Sequence, residues 1–490
     1  MFREDRYFAA ISKFSDDSVF LLISSFMMKT IDNSLCLGLL LLAGLPVWAQ
    51  DDKPPVVAPA ASGALISGLA NLSSANGDDR DDRMQAPPPV SGTNYPVSYT
   101  SGEQSNYLRG GVTFNTAYSD NVLGTTSATP VSDISYSVWP TIALDESTSR
   151  LHAVVTYAPG FTFYQRTSSR NEQDQNVALA VQYRLSPHVT VSLQDALQKS
   201  SSVFNQPDQG LGIAVSGSTQ AANDSVIAPL ADRLSNNGNA GINYQFGANS
   251  MVGASGTFTN LHYPNPTEVP GLFDAASRAG LAYYSFRFSP QHYLGVTYQY
   301  QELLSYPTQG TNQTETDGFF VFYTFYAGPA FSFSLFGGPQ YWSAGVQYLS
   351  ATQTIAAQQA WTPAAGGSLN WQARHSGAAL SYSHTVSGGG GLVGAVKLDS
   401  ASLSLRQQLT RNLSASLAGG YANNGVLAVS SLGGHSFSGS AGLQRQVGEH
   451  LNLQAGYTRL HQDYSFSSLN PDTNREWVSV SYQFARPLGK

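Results

Sequence analysis

The sequence predicts an all-β fold: a closed antiparallel transmembrane β-barrel of about 18 strands, preceded by a disordered N-terminal segment. Three observations carry this expectation. Only 12% of the 490 residues are charged, about half the share of ordinary soluble proteins, yet mean hydropathy is only −0.17. From Tyr107 onward, apolar and polar residues alternate with period two. The connections between these runs are themselves alternately short and long along residues 106–490, as they are when strands cross a bilayer with tight turns on one side and loops on the other.

The N-terminal end comes first. Lys29 gives a basic end to a segment that leads into the apolar run Leu35–Leu45 and then Pro46-Val47-Trp48-Ala49, so residues 1–49 read as a secretory signal peptide cleaved after Ala49. Met27 and Met28 stand just before this segment, which marks residues 1–26 as an upstream over-call of the start. The apolar run is too short for a membrane-spanning helix, and no comparable run follows, so a multispan helical protein is excluded. The sole cysteine, Cys36, lies inside the run. The mature chain therefore carries no thiol, which excludes disulfide staples, zinc–thiolate sites and cysteine nucleophiles. Removing the four Lys/Arg and five Asp/Glu of residues 1–50 leaves 21 basic against 27 acidic residues, a net charge of −6. Nucleic-acid binding lacks the basic footprint it needs.

Residues 50–105 are rich in Pro, Ala, Ser and Asp, with Pro87-Pro88-Pro89 and the charge run Asp78–Arg83. So little apolar surface cannot offset the entropy of ordering, and the segment reads as a disordered periplasmic linker. It is also too short to form the plug domain of a TonB-dependent transporter.

Residues 106–490 make the barrel. Val189, Val191 and Leu193 face one way and Thr190, Ser192 and Gln194 the other; the last run sets Val478, Val480, Tyr482 and Phe484 against Ser479, Ser481 and Gln483. Alternation alone also fits a soluble sandwich, so the connections decide. Short turns fall near 145–149, 185–187, 247–249, 289–290, 327–329, 373–376, 408–412 and 448–450. Longer polar connections fall near 119–131, 165–172, 200–232, 264–274, 307–313, 350–363, 387–395, 422–431 and 462–472. Their strict alternation gives an even number of strands with both ends on the periplasmic side. The hairpins Tyr183–Val189 and Phe286–Tyr293 each put an aromatic residue outward at a short turn. Tyr183, Phe286, Tyr482 and Phe484 are accordingly expected to anchor the membrane interface.

The segments Ala117-Tyr118-Ser119-Asp120-Asn121-Val122-Leu123, Trp139-Pro140-Thr141-Ile142, Tyr157-Ala158-Pro159-Gly160-Phe161 and Tyr183-Arg184-Leu185-Ser186-Pro187 resemble the beta-barrel porin type 2 family of outer-membrane proteins. The motif-bearing part covers about residues 107–200. The resemblance implies a barrel in the outer membrane of a Gram-negative-type bacterium, linked with exopolysaccharide export, and it carries no site residues. Proteins of this kind commonly end on an aromatic residue read by the barrel assembly machinery. Here Phe484 is followed by Ala485-Arg486-Pro487-Leu488-Gly489-Lys490.

About 18 strands enclose an interior too wide for side chains to fill, so an aqueous lumen is expected. The longest connection, 200–232, contains Phe204, Leu211, Ile213 and Val226 and is expected to fold inward as a pore constriction. Asp208, Asp224 and Asp232 would then line or flank the narrowing opposite Arg233 and Arg109, with a mild cation preference; the alternative is that they are ordinary solvated loop acids. A membrane hydrolase is the competing chemistry. Its candidate is Tyr382-Ser383-His384-Thr385-Val386-Ser387, but the spacing puts His384 and Ser387 on opposite faces of a strand. No acid or Asn stands at a matching offset, and His384 is expected at the lumen or a loop rim. The other histidines are scattered singly, without metal-ligand spacing. The expectation is therefore a channel or porin without enzymatic activity, metal or cofactor. Its partners would be outer-membrane lipid, the assembly machinery, and polysaccharide or small solutes, with room for an oligomer. A non-conducting adhesin or scaffold barrel is the alternative.

Overall fold

The computed structural model describes residues 84, 106–124, 130–202, 231–266, 271–327, 330–350, 353–373, 375–388, 391–427, 432–465 and 472–488. The first strands are β1 (Tyr107–Ser119), β2 (Asp133–Ser147), β3 (Leu151–Tyr164), β4 (Glu172–Arg184), β5 (Val189–Ser200) and β6 (Arg233–Gly247). Next come β7 (Ser250–His262), β8 (Asp274–Ser289), β9 (His292–Tyr306), β10 (Asn312–Tyr326) and β11 (Phe331–Ala344). A small hairpin, β12 (Gln347–Ser350) and β13 (Gln353–Ile355), precedes β14 (Gln358–Gln372) and β15 (Ser376–Gly388). The wall is completed by β16 (Ala395–Thr410), β17 (Leu413–Val426), β18 (Gly433–Val447), β19 (Leu451–Tyr464) and β20 (Asp472–Pro487).

All strands but β12 and β13 join one 18-stranded antiparallel sheet in which each pairs with its sequence neighbours. The sheet closes on itself. β1 pairs with β20 from Tyr107↔Pro487 to Ser119↔Arg475, and the Thr113 and Ser481 hydroxyls meet across this join at 2.9 Å. Closure matters because an open sheet edge in hydrocarbon leaves backbone groups unpaired, at several kcal/mol each.

Strand β9 shows why these residues make such a wall. Leu294, Val296, Tyr298 and Tyr300 are exposed on the outer face, whereas Tyr293, Thr297, Gln299 and Gln301 are buried on the inner one. Period-two alternation puts apolar groups where acyl chains lie and polar groups where water or other side chains can bond them. The same segregation holds in the closing strand, where Val478 is 58% exposed and Ser479 only 4%. Inward aromatic rings lie flat on neighbouring glycines, which have no side chain in the way. The Trp139 ring occupies the space a Cβ at Gly160 would take, and outside the barrel Phe484 does the same over Gly110 at the closing join.

The expected turns and loops recur in order, with two shifts. The connection expected at 350–363 lies earlier, at 345–357, because β11 ends at Ala344 and β14 begins at Gln358, with Pro363 paired to Pro339 of β11. Proline reads as a strand breaker, and that reading fails where two prolines face each other. The connection expected at 422–431 starts later, since β17 continues to Val426.

Candidate functional site: the channel lumen

Strand alternation turns Asn176 and Gln182 of β4, Gln194 and Gln198 of β5, and Asn237, Asn239 and Asn243 of β6 inward. On the opposite wall it turns Ser400, Ser402 and Ser404 of β16 and Ser436, Ser438 and Ser440 of β18 inward. Some of these hydroxyls bond each other across strands, as Ser381 and Ser402 do at 2.7 Å and Ser383 and Ser400 do at 2.7 Å. Such a lining offers donors and acceptors without net charge.

Among the described residues, inward charges gather at the two ends. Near the short turns, Arg109 lies 3.9 Å from Asp145, whose other oxygen is 3.1 Å from His152 Nε2. Arg287 donates there to Asn249 Oδ1 at 3.1 Å and to the Ala248 carbonyl at 2.6 Å. Near the long loops, Asp133 accepts from the backbone of Arg166 and Thr167 and from the Thr167 hydroxyl, which fixes the β3–β4 loop. Asp174 accepts from Ser201 N–H at 3.0 Å, within electrostatic reach of the buried Arg233.

The residues expected at a constriction fall out as follows. Asp208 and Asp224 lie outside the described residues. Asp232 and Arg233 stand together at the long-loop end, where β6 begins. Arg109 sits near the start of β1, at the short-turn end, so it does not share a level with Arg233. Of the expected anchors, Tyr183, Tyr482 and Phe484 are exposed on the outer face. Phe286 is half-buried edge-on against Phe288, with ring centroids 5.0 Å apart. All four stand in the halves of their strands nearest the short turns.

Among the described residues, the connection between β15 and β16 narrows the lumen at the long-loop end. The β15–β16 loop reaches across to the tops of β7–β9: Phe273 N–H donates to the Gly391 carbonyl at 2.7 Å, and Gly394 N–H donates to Ser305 Oγ at 3.1 Å. Its Leu392, 2% exposed, packs with Tyr263 and Leu272 from the β7–β8 connection and with Val396 and Leu398 of β16. Gly391 and Gly394 take φ of +100° and +74°, angles open to glycine and strained for other residues. The signal was in the sequence, an apolar Leu392-Val393 set between glycines in an otherwise polar connection. At the opposite end Met84, the one described residue of 50–105, donates its N–H to Gln245 Oε1 at 3.2 Å. Its side chain packs against Met251, Tyr293, Tyr283 and Tyr326.

His384 is a correction. It faces outward with Leu380 and Tyr382, and the Asp399 carboxylate, opposite it in register, accepts from its Nδ1. Tyr382 donates to the same oxygen at 3.3 Å. The acid that no sequence offset revealed comes from the next strand. Ser387 is buried on the inner side, so no serine–histidine pair forms.

No family model and no curated protein matches the chain. Among solved structures it is similar to OccK2 (OpdF) of Pseudomonas aeruginosa, at 9% identity and TM-score 0.39, over 78% of this chain and 98% of that one. It is similar to the siderophore receptor PiuA of Acinetobacter baumannii, at 9% identity and TM-score 0.39, over 77% and 69%. It is also similar to the FrpB iron transporter of Neisseria meningitidis, at 9% identity and TM-score 0.38, over 78% and 69%. Likeness at this level carries no functional argument. On its own geometry, the chain is a membrane-spanning β-barrel of the outer-membrane type, apolar outside and enclosing a polar lumen.

Proposed function

We propose that the protein is an outer-membrane channel that passes small, uncharged polar solutes, saccharides among them. The observation that carries this reading is the lumen wall, in which hydroxyls and amides of β4–β6 and β16–β18 face inward while formal charges stand at the two ends. A solute rich in hydroxyls can exchange its hydration for these groups step by step, whereas a fixed charge would hold or repel ions. The resemblance to type 2 porins adds exopolysaccharide export as the biological setting. The apolar cap of Leu392, Tyr263 and Leu272 favours a second reading, a closed scaffold or adhesin barrel.

Reconstitution in planar bilayers and sugar-containing vesicles separates the two. The channel reading expects steady conductance steps with weak ion selectivity, and faster vesicle swelling with neutral sugars than with charged sugars of like size. A sealed bilayer together with no swelling would replace it with the scaffold.

A further inference from the structure

The wall is irregular at one seam. β14 pairs with β11 along its whole length, from Phe331↔Trp371 to Ala344↔Gln358. On its other side it pairs with β15 only from Gln372↔Gly377 to Ala365↔His384. Beyond that point β15 stays with β16 as far as Gly388↔Ala395 but parts from β14. Val386 N–H is bonded instead by Gln340 Oε1 of β11, at 3.1 Å. The upper part of β15 therefore tucks inside β14, and residues Gln358–Ala364 form a sheet edge in the outer half of the wall. Pro363, which has no N–H to pair, lies in this edge, where sheets tolerate proline.

Three further observations point to what meets this edge. Behind it, Leu303, Trp342, Ala344, Val386 and Ala395 form an apolar cluster on the inner side of the wall. Thr385, 4% exposed, turns its hydroxyl inward with no hydrogen-bond partner. On the membrane side the lips carry Trp361, 70% exposed, and the outward His384–Asp399 pair. Backbone groups left unpaired in hydrocarbon cost several kcal/mol each, and a polar headgroup seated at this edge would meet them.

We propose that the β14–β15 seam is a lateral portal to the outer leaflet. It admits the hydrocarbon chain of an amphiphile toward the Leu303–Trp342–Val386 cluster, while the headgroup stays at the His384–Asp399 lip. The portal depends on the lipid-facing wall and not on axial conduction, so a barrel sealed to ions leaves it standing.

The test uses the full chain in lipid vesicles, with Cys36→Ser and a bimane probe on Thr385→Cys. Leu403→Cys on the outer wall and Ser402→Cys in the lumen serve as controls, and each variant is checked for heat-modifiable gel migration. With phospholipid brominated along its acyl chains, the Thr385 probe is expected to be quenched nearly as strongly as the Leu403 probe and severalfold more than the Ser402 probe. Quenching by dibromostearate alone, in unbrominated vesicles, would assign the chain to a free fatty acid rather than a bilayer lipid. Ala364→Cys, on the facing edge, gives the same reading should Thr385→Cys fail to fold. Quenching no greater than at Ser402 with both quenchers overturns the portal.

Discussion

Leu403→Arg is expected to cost about 2–4 kcal/mol of folding free energy, the range for a cation near the midplane on the lipid face of a barrel. Leu403 is 39% exposed on the outer face of β16, between Leu380 of β15 and Gly419 of β17 in register. Hydrocarbon can neither solvate nor pair a guanidinium there. Ser402→Arg, one residue away, places the same charge in the lumen. Its expected cost is about 1 kcal/mol, for the lost Ser381 hydroxyl bond. Urea titrations of both variants folded into vesicles check the contrast. Equal costs would mean that the two faces of β16 do not see lipid and water.

Trp139→Ala is expected to cost about 3–5 kcal/mol. Trp139 is fully buried on the inner face of β2, its ring seated over Gly160 of β3. Alanine would leave the glycine side of the strand pair without its cover and a cavity in its place. The indole N–H has no hydrogen-bond partner, so Trp139→Phe, which keeps an aromatic ring and removes that group, should stay within about 1.5 kcal/mol of the parent. The same titration reads both. A small effect for alanine would show that the ring is not part of the wall's packing.

How much of this was legible in sequence follows from which forces are local. Turn positions were legible, because Ser186-Pro187, Gly247-Ala248-Asn249 and Ser289-Pro290 break the strand pattern where they stand. Which face meets lipid was legible too, because Val478, Val480, Tyr482 and Phe484 keep one parity to the end of β20. Contacts set by register were not. Asp399 meets His384 from 15 residues away, and nothing in either segment's composition announces the pairing. The separation of Arg109 from Arg233 likewise appears only once β1 rises from the turn side and β6 descends from the loop side. The tucked end of β15 was hidden for a related reason: Thr385-Val386-Ser387 alternates like any strand, and its departure from β14 is visible only against Gln340, 46 residues earlier.

The barrel is closed by the join between the first and last strands. Thr113 and Ser481 are 368 residues apart in sequence and 2.9 Å apart through their hydroxyls, close enough for cysteines at both positions to meet disulfide geometry. In membranes, with Cys36→Ser as background, Thr113→Cys with Ser481→Cys should form an intramolecular disulfide under mild oxidation, and Thr113→Cys with Ser402→Cys should not. Free thiols persisting in the first pair, in protein that is folded in the bilayer, would contradict a closed barrel.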